Sequence, residues 1–251
     1  MDPLNQRLDR DGGPIYVETV DLSAPIVEPW NATSAALFVL IAVYWLIRLR
    51  GRYRSAPFVT ICLPILLVGG IGGTLYHATR ASRVYFLMDV IPIGILASLA
   101  GLYLWIRMTR MAILPLFGLA IMMLLVQTVG FRLLPAHWAI NVSYGMLAAS
   151  VILPAGILLV QTRFFAGGWF ITAMICFGVA FLFRMLDVLR PPVLPMGTHW
   201  LWHTFGAACT ASLCEYFYRL STMPASAASA PPSPSDSPSA SGASDGTLTP
   251  V

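Results

Sequence analysis

The sequence has no lysine, and charged residues of every kind fill only 10% of its 251 positions. A soluble domain carries about 25%, so the polar residues that remain could not clothe a water-exposed surface. The missing lysine also excludes a retinal-type Schiff base, which needs a side-chain amine. Cysteine is sparse: Cys62, Cys176, Cys209 and Cys214 all fall inside apolar blocks, with no Cys-x-x-Cys pair and none in a polar loop. That excludes a disulfide framework and leaves small packing residues. The start of the chain lacks the basic segment and short apolar core of a cleavable signal peptide. The first span is therefore expected to act as its own membrane signal. The basic excess, +4 and entirely arginine, sits between apolar blocks and forms no nucleic-acid patch.

What is present is apolar. Hydrophobic residues fill 57% of positions and fall in blocks about 20 long, enough to cross a hydrocarbon core as a helix. The pattern predicts an all-α membrane protein, a seven-transmembrane helical bundle with spans near 30–49, 57–77, 84–106, 111–131, 138–160, 168–187 and 199–220. Residues 1–29 form an acidic segment, 30–221 the bundle, and 222–251 a Ser/Ala/Pro-rich tail too poor in bulky side chains to fold. Arg48, Arg50, Arg52, Arg54, Arg107, Arg110, Arg163 and Arg219 cluster at one set of span ends, which places those ends in the cytoplasm. The N-terminus is then outside and the C-terminus inside. A Lys-free composition rich in Ala, Arg and Pro points to a GC-rich bacterial genome, hence to a bacterial cell membrane. Gly69-Gly70-Ile71-Gly72-Gly73 in span two reads as a place of close helix approach.

Ionisable groups inside spans are costly and tend to face a functional interior. His77 ends span two, Asp89 lies about one turn into span three, Arg184 and Asp187 close span six, and His199 and His203 open span seven. The 199/203 spacing is i, i+4, which puts both imidazoles on one helix face about 6 Å apart. Alternation of the spans carries His77, Asp89, Asp187, His199 and His203 to the same, outer end. Three neutral imidazoles with an open position suit catalytic Zn²⁺. An HExxH protease is the weakest reading, since Trp200-Leu201-Trp202 between the two histidines supplies no glutamate base. Scattered histidines satisfied by helix-helix hydrogen bonds and a bis-His haem are the weaker readings.

These blocks resemble the alkaline ceramidase family, within the superfamily of seven-span hydrolases that includes adiponectin-receptor-like proteins. Gly73-Thr-Leu-Tyr-His77 followed by Met88-Asp89, then Leu186-Asp187 and His199-x-x-x-His203, are similar to its span-two, span-three and final blocks. Tyr16-Val-Glu18 and Glu28-Pro-Trp-Asn31 resemble the segment leading into span one, so the resemblance covers roughly 16–220. It implies hydrolysis of the amide of a ceramide-like membrane lipid to a fatty acid and a long-chain base. His77, His199 and His203 would hold zinc. Asp89 would take the proton of the attacking water and return it to the leaving amine; a ligand-orienting role is its alternative. The resemblance also implies calcium at the acidic segment, through Glu18, Glu28 and Asn31 with Asp21 as a substitute ligand.

The sequence departs from the family pattern in two regions, span two and the acidic segment. Gly73 stands where the superfamily has a serine thought to help hold the oxyanion, and Thr74 beside it is rotated by about 100°. Val17 stands where the family carries cysteine, and Pro14 where it carries an aspartate ahead of the tyrosine. Arg80 is expected at the site entrance, meeting a headgroup or reaching lipid phosphate. Trp202 is expected in an acyl pocket or at the membrane interface. A non-catalytic receptor- or scaffold-like protein with a retained zinc site and a lipid ester hydrolase are the alternative functions.

Overall fold

The computed structural model describes residues 11–109 and 136–223, with positions 121, 125, 128, 129, 132 and 133 between them. Most of the expected fourth span (111–131) and nearly all of the C-terminal tail therefore lie outside the described residues. Among the described residues the chain is helical, with no strand. Its helices are α1 (Pro29–Arg48), α2 (Pro57–Thr79), α3 (Arg83–Thr109), α4 (Ala136–Gln161), α5 (Gly167–Leu186) and α6 (His199–Ser221). Proline opens α1 and α2, where its missing N–H costs nothing.

Five helices, α1 to α5, are long and apolar enough to cross a membrane. The sixth, α6, is long enough at 23 residues, but His199, His203, Glu215 and Arg219 dilute it. Those groups are mostly buried, so its low hydropathy records an inward polar face. The outer surface is the reverse of a soluble protein's. Leu40, Ile47, Ile61, Ile91, Leu153 and Ile175 are all well exposed, and a continuous apolar exterior of this kind needs lipid around it. The chain has the build of a multi-pass integral membrane protein.

Neighbouring helices pack in the order α4, α3, α2, α1, α6, α5. The glycines of α2 allow two of these approaches. A Cβ at Gly70 would stand 2.7 Å from the Val39 backbone nitrogen of α1, and one at Gly72 would stand 2.6 Å from the Met88 backbone of α3. Close helix approach is thus their role, as the sequence indicated.

The two ends of the bundle differ in kind. An apolar core, including Trp45, Leu63, Leu104, Leu158, Phe170 and Tyr216, fills one half. Arginines rim that half. Arg48 pairs with Glu215 and lies 4.5 Å from the Trp45 ring centre, and Arg219 Nε donates to Glu215 at 2.8 Å. Arg107 donates to the Leu220 carbonyl at 2.7 Å. The other half is filled by buried polar groups: Asp11, Glu18, Glu28, Asn31, His77, Arg80, Asp187, His199 and His203.

Candidate metal centre

Residues 11–28 form a strap of turns laid across the histidine end. Its last residues join the end of α2: Val27 N–H donates to Ala78 O at 2.9 Å, and Glu28 N–H to His77 O at 3.1 Å. Two carboxylates then fasten helix starts that would otherwise carry orphan N–H groups. Glu18 accepts from Trp30 N–H (2.7 Å) and Asn31 N–H (3.0 Å) at the start of α1. Asp187 accepts from Thr198 N–H (2.7 Å) and His199 N–H (3.1 Å) at the start of α6. The Val17 N–H also reaches Asp187, so one carboxylate ties the strap to the turn that begins with His199. Burial pushes both carboxyls up against these N–H bonds. Both positions favour the ionised form through the helix dipole.

Beneath the strap, His77, His199 and His203 converge. They are buried, and one nitrogen from each lies within 4.8 Å of the other two. Their ring centres are 4.6–5.4 Å apart. The His77 Nδ1 lies 2.5 Å from Glu28 Oε2. Glu28 can only accept there, so Nδ1 carries the proton and Nε2 keeps its lone pair. That Nε2 is buried with no hydrogen-bond partner among the described residues. His203 shows the same polarity: its Nδ1 lies 3.1 Å from the Asn31 carbonyl and 3.1 Å from Ser34 Oγ. The carbonyl is an obligate acceptor, which again leaves the lone pair on Nε2. Tyr16 stacks on His199 with ring centres 3.9 Å apart. A buried, orphaned imidazole nitrogen is costly unless it has a ligand. Three nitrogens brought together, two of them held in the tautomer that ligates, fit a metal ion.

Asp89 completes the group. Its Oδ2 is 3.9 Å from His77 Nε2, and its side chain keeps 19% exposure while His77 has none. Gly73 faces it: a Cβ there would stand 2.6 Å from Asp89 Oδ1. Thr74 is turned away, its hydroxyl bonded to its own helix at Gly70 O (2.7 Å).

The acidic segment is built differently from the expectation. Glu18, Glu28 and Asn31 do converge, but Asp21 is exposed and bonded to Ser23. Both Glu18 oxygens serve backbone N–H groups. Glu28 Oε1 takes Arg80 Nη1 (2.7 Å) and the Thr19 hydroxyl (2.5 Å), and Oε2 takes His77 and the Asn31 amide (3.1 Å). The cation in this cradle is already a guanidinium, and the donor set does not fit calcium. Arg80 is corrected accordingly. It is buried, away from lipid headgroups, with Nε 2.7 Å from Asp11 Oδ2 and Nη2 3.0 Å from Pro14 O. Its φ of 47° is left-handed, at the position ending α2 where glycine is usual. The two buried carboxylates hold it there. Burial pushes the Glu28 carboxyl up, but the hydrogen bond from His77, with the Arg80 guanidinium and the Thr19 hydroxyl, more than offsets it and holds it at about 2.

Sequence reasoning placed His77, Asp89, His199, His203 and Asp187 at one end, and the structure brings them there. It gave no site role to Asp11, Thr19 or Ser34, and it named Tyr16 only as part of the block ahead of span one. Only Ser34 carried a local signal, one helical turn after Asn31 on the inward face of α1. No protein-family model matches this chain, and no curated protein matches it.

Proposed function

We propose that the chain is a seven-span zinc hydrolase, N-terminus outside, of the alkaline ceramidase type. It cleaves the amide of a ceramide-like lipid at the outer end of the bundle. The observation that carries this reading is the buried His77/His199/His203 group with Asp89 Oδ2 3.9 Å from the orphaned His77 Nε2. Zn²⁺ held by those three imidazoles would supply a nucleophilic water at neutral pH and a Lewis acid for the carbonyl.

The residues of the chain do the rest. Glu28 and the Asn31 carbonyl orient His77 and His203 through their Nδ1–H groups. Asp89, the one partly exposed carboxylate beside the histidines, takes the proton of the attacking water and returns it to the leaving nitrogen. The strap covers the centre from the aqueous side and limits water there. The apolar exterior and the span-level position of the site favour a substrate that arrives from the bilayer.

One observation favours a second reading. Gly73 puts no hydroxyl where the superfamily has one, and Thr74 is committed to Gly70 O. Losing an oxyanion donor costs about 10²–10³ in rate. A receptor- or scaffold-like protein keeping zinc for structure follows from that. An ester substrate remains the alternative within the hydrolase reading. The separating experiment measures fatty-acid release from ceramide and from ester lipids by purified wild type and Asp89→Asn, with metal content alongside. The proposal expects amide cleavage by wild type and a loss of about 10²–10⁴-fold in Asp89→Asn with metal retained. Bound zinc with no turnover on any lipid would overturn it.

A further inference from the structure

Arg184 is the ion that the hydrolase reading leaves unused. It lies in the last turn of α5, two residues before the end of a candidate span, and an ionisable group of a span that turns onto neighbouring helices marks a functional interior. No carboxylate lies within ion-pair distance of it among the described residues; the pairs there belong to Arg48, His77, Arg80 and Arg219. Its Nε is buried and has no hydrogen-bond partner among the described residues. What holds it is a clamp of two rings. The guanidinium carbon is 4.9 Å from the centre of Tyr144 on α4 and 5.4 Å from the centre of Trp202 on α6. Tyr144 and Trp202 pack edge to face, 5.2 Å apart, and Phe177 stands against Trp202. The rings attract the cation by their faces but satisfy none of its in-plane N–H groups.

The clamp belongs to the metal-centre end. Trp202 lies between His199 and His203 in sequence, on the turn that carries both. The Thr198 hydroxyl bonds to Phe183 O, one residue before Arg184, so α5 and the start of α6 meet at this level. The charge of Arg184 reaches Asp89, His199 and His203. A planar cation with free in-plane donors, walled by aromatic rings, matches a carboxylate bidentately. The walls are aromatic and stand at the end of a candidate span, which suits a carboxylate carried on an apolar, membrane-soluble chain.

We infer that Arg184, in its Tyr144/Trp202 clamp, binds the carboxylate of a long-chain fatty acid. Resting on the hydrolase reading, this makes it the seat of the acyl product and the group through which free fatty acid inhibits.

The test uses the full chain in detergent, with oleate and oleyl alcohol titrated against tryptophan fluorescence, since Trp202 is part of the seat. Wild type, Arg184→Gln, Arg184→Lys and metal-free His203→Ala are compared. Oleate should bind wild type about ten- to hundredfold more tightly than oleyl alcohol. Arg184→Gln should erase that preference and leave the alcohol's affinity within about threefold, Arg184→Lys should restore part of it, and His203→Ala should retain it. Equal affinities of wild type for the two ligands would overturn the inference with no variant needed. Preference kept by Arg184→Gln but lost in His203→Ala would also overturn it, putting the carboxylate on the metal and leaving the hydrolase reading standing. Absence of turnover with the Arg184-dependent preference intact would sink hydrolysis and keep the seat.

Discussion

Glu28→Gln is the most informative single change, because Glu28 touches a proposed ligand and the strap at once. The carboxylate is fully buried and meets His77 Nδ1 at 2.5 Å, Arg80 Nη1 at 2.7 Å and Thr19 Oγ1 at 2.5 Å. Glutamine keeps the shape and removes the charge. A hydrogen bond to a charged group contributes about 1.5–3 kcal/mol against about 1 for a neutral one, and of the four bonds to this carboxylate those from His77 and Arg80 weaken most. The amide also has to turn its NH₂ toward one side of a site crowded with donors. The expected loss is about 2–4 kcal/mol, below the 3–5 of removing one partner of a buried pair outright. In a domain of this size that lowers Tm by roughly 5–15 °C. Released from its acceptor, His77 no longer holds the ligating tautomer, and metal affinity should fall about 10- to 100-fold. Thermal unfolding in detergent reads the first effect and chelator competition the second. A variant that melts within about 2 °C of wild type and yields its metal at the same chelator concentration would refute the linkage drawn from Arg80 through Glu28 to His77.

Three further outcomes are expected. Glu28 has its carboxyl depressed from 4.5 to about 2, so its contribution is complete above pH 4.5 and is lost as pH falls toward 2. On the order of 3 kcal/mol of stability should disappear across that window, and an acid titration of Glu28→Gln should lack that component. Asp187→Ala removes the acceptor for Thr198 and His199 N–H groups and for the strap at Val17; a destabilisation of about 0.5–2 kcal/mol with weakened metal retention is expected by the same two assays. Gly73→Ser restores the superfamily's hydroxyl, yet its Cβ would stand 2.6 Å from Asp89 Oδ1. Asp89 must move, and turnover should fall by about tenfold or more with metal content unchanged; a gain in turnover would show that Asp89 yields freely.

Much of the bundle and of its histidine end is legible in the sequence, for identifiable reasons. The spans follow from runs of apolar residues, and their alternation alone sends His77, Asp89, Asp187 and His199 to one end. The i, i+4 spacing of His199 and His203 fixes their shared face. The strap was less legible because its bonds join residues far apart in the chain: Glu18 to Trp30, Asp11 to Arg80, Tyr16 to His199. Arg80 was misplaced for the same reason. An arginine after a span reads as a headgroup partner until two carboxylates from the strap are found around it. α6 shows the opposite case, a helix whose polar residues lower its hydropathy and reveal their purpose once they are seen to face inward.

The central claim is that three imidazoles hold one metal ion. Elemental analysis of the purified protein, beside His77→Ala and His203→Ala, tests it most directly. The account predicts one zinc per chain in wild type and almost none in either variant. Wild type that purifies folded, after growth with zinc supplied, and carries no stoichiometric metal would contradict it.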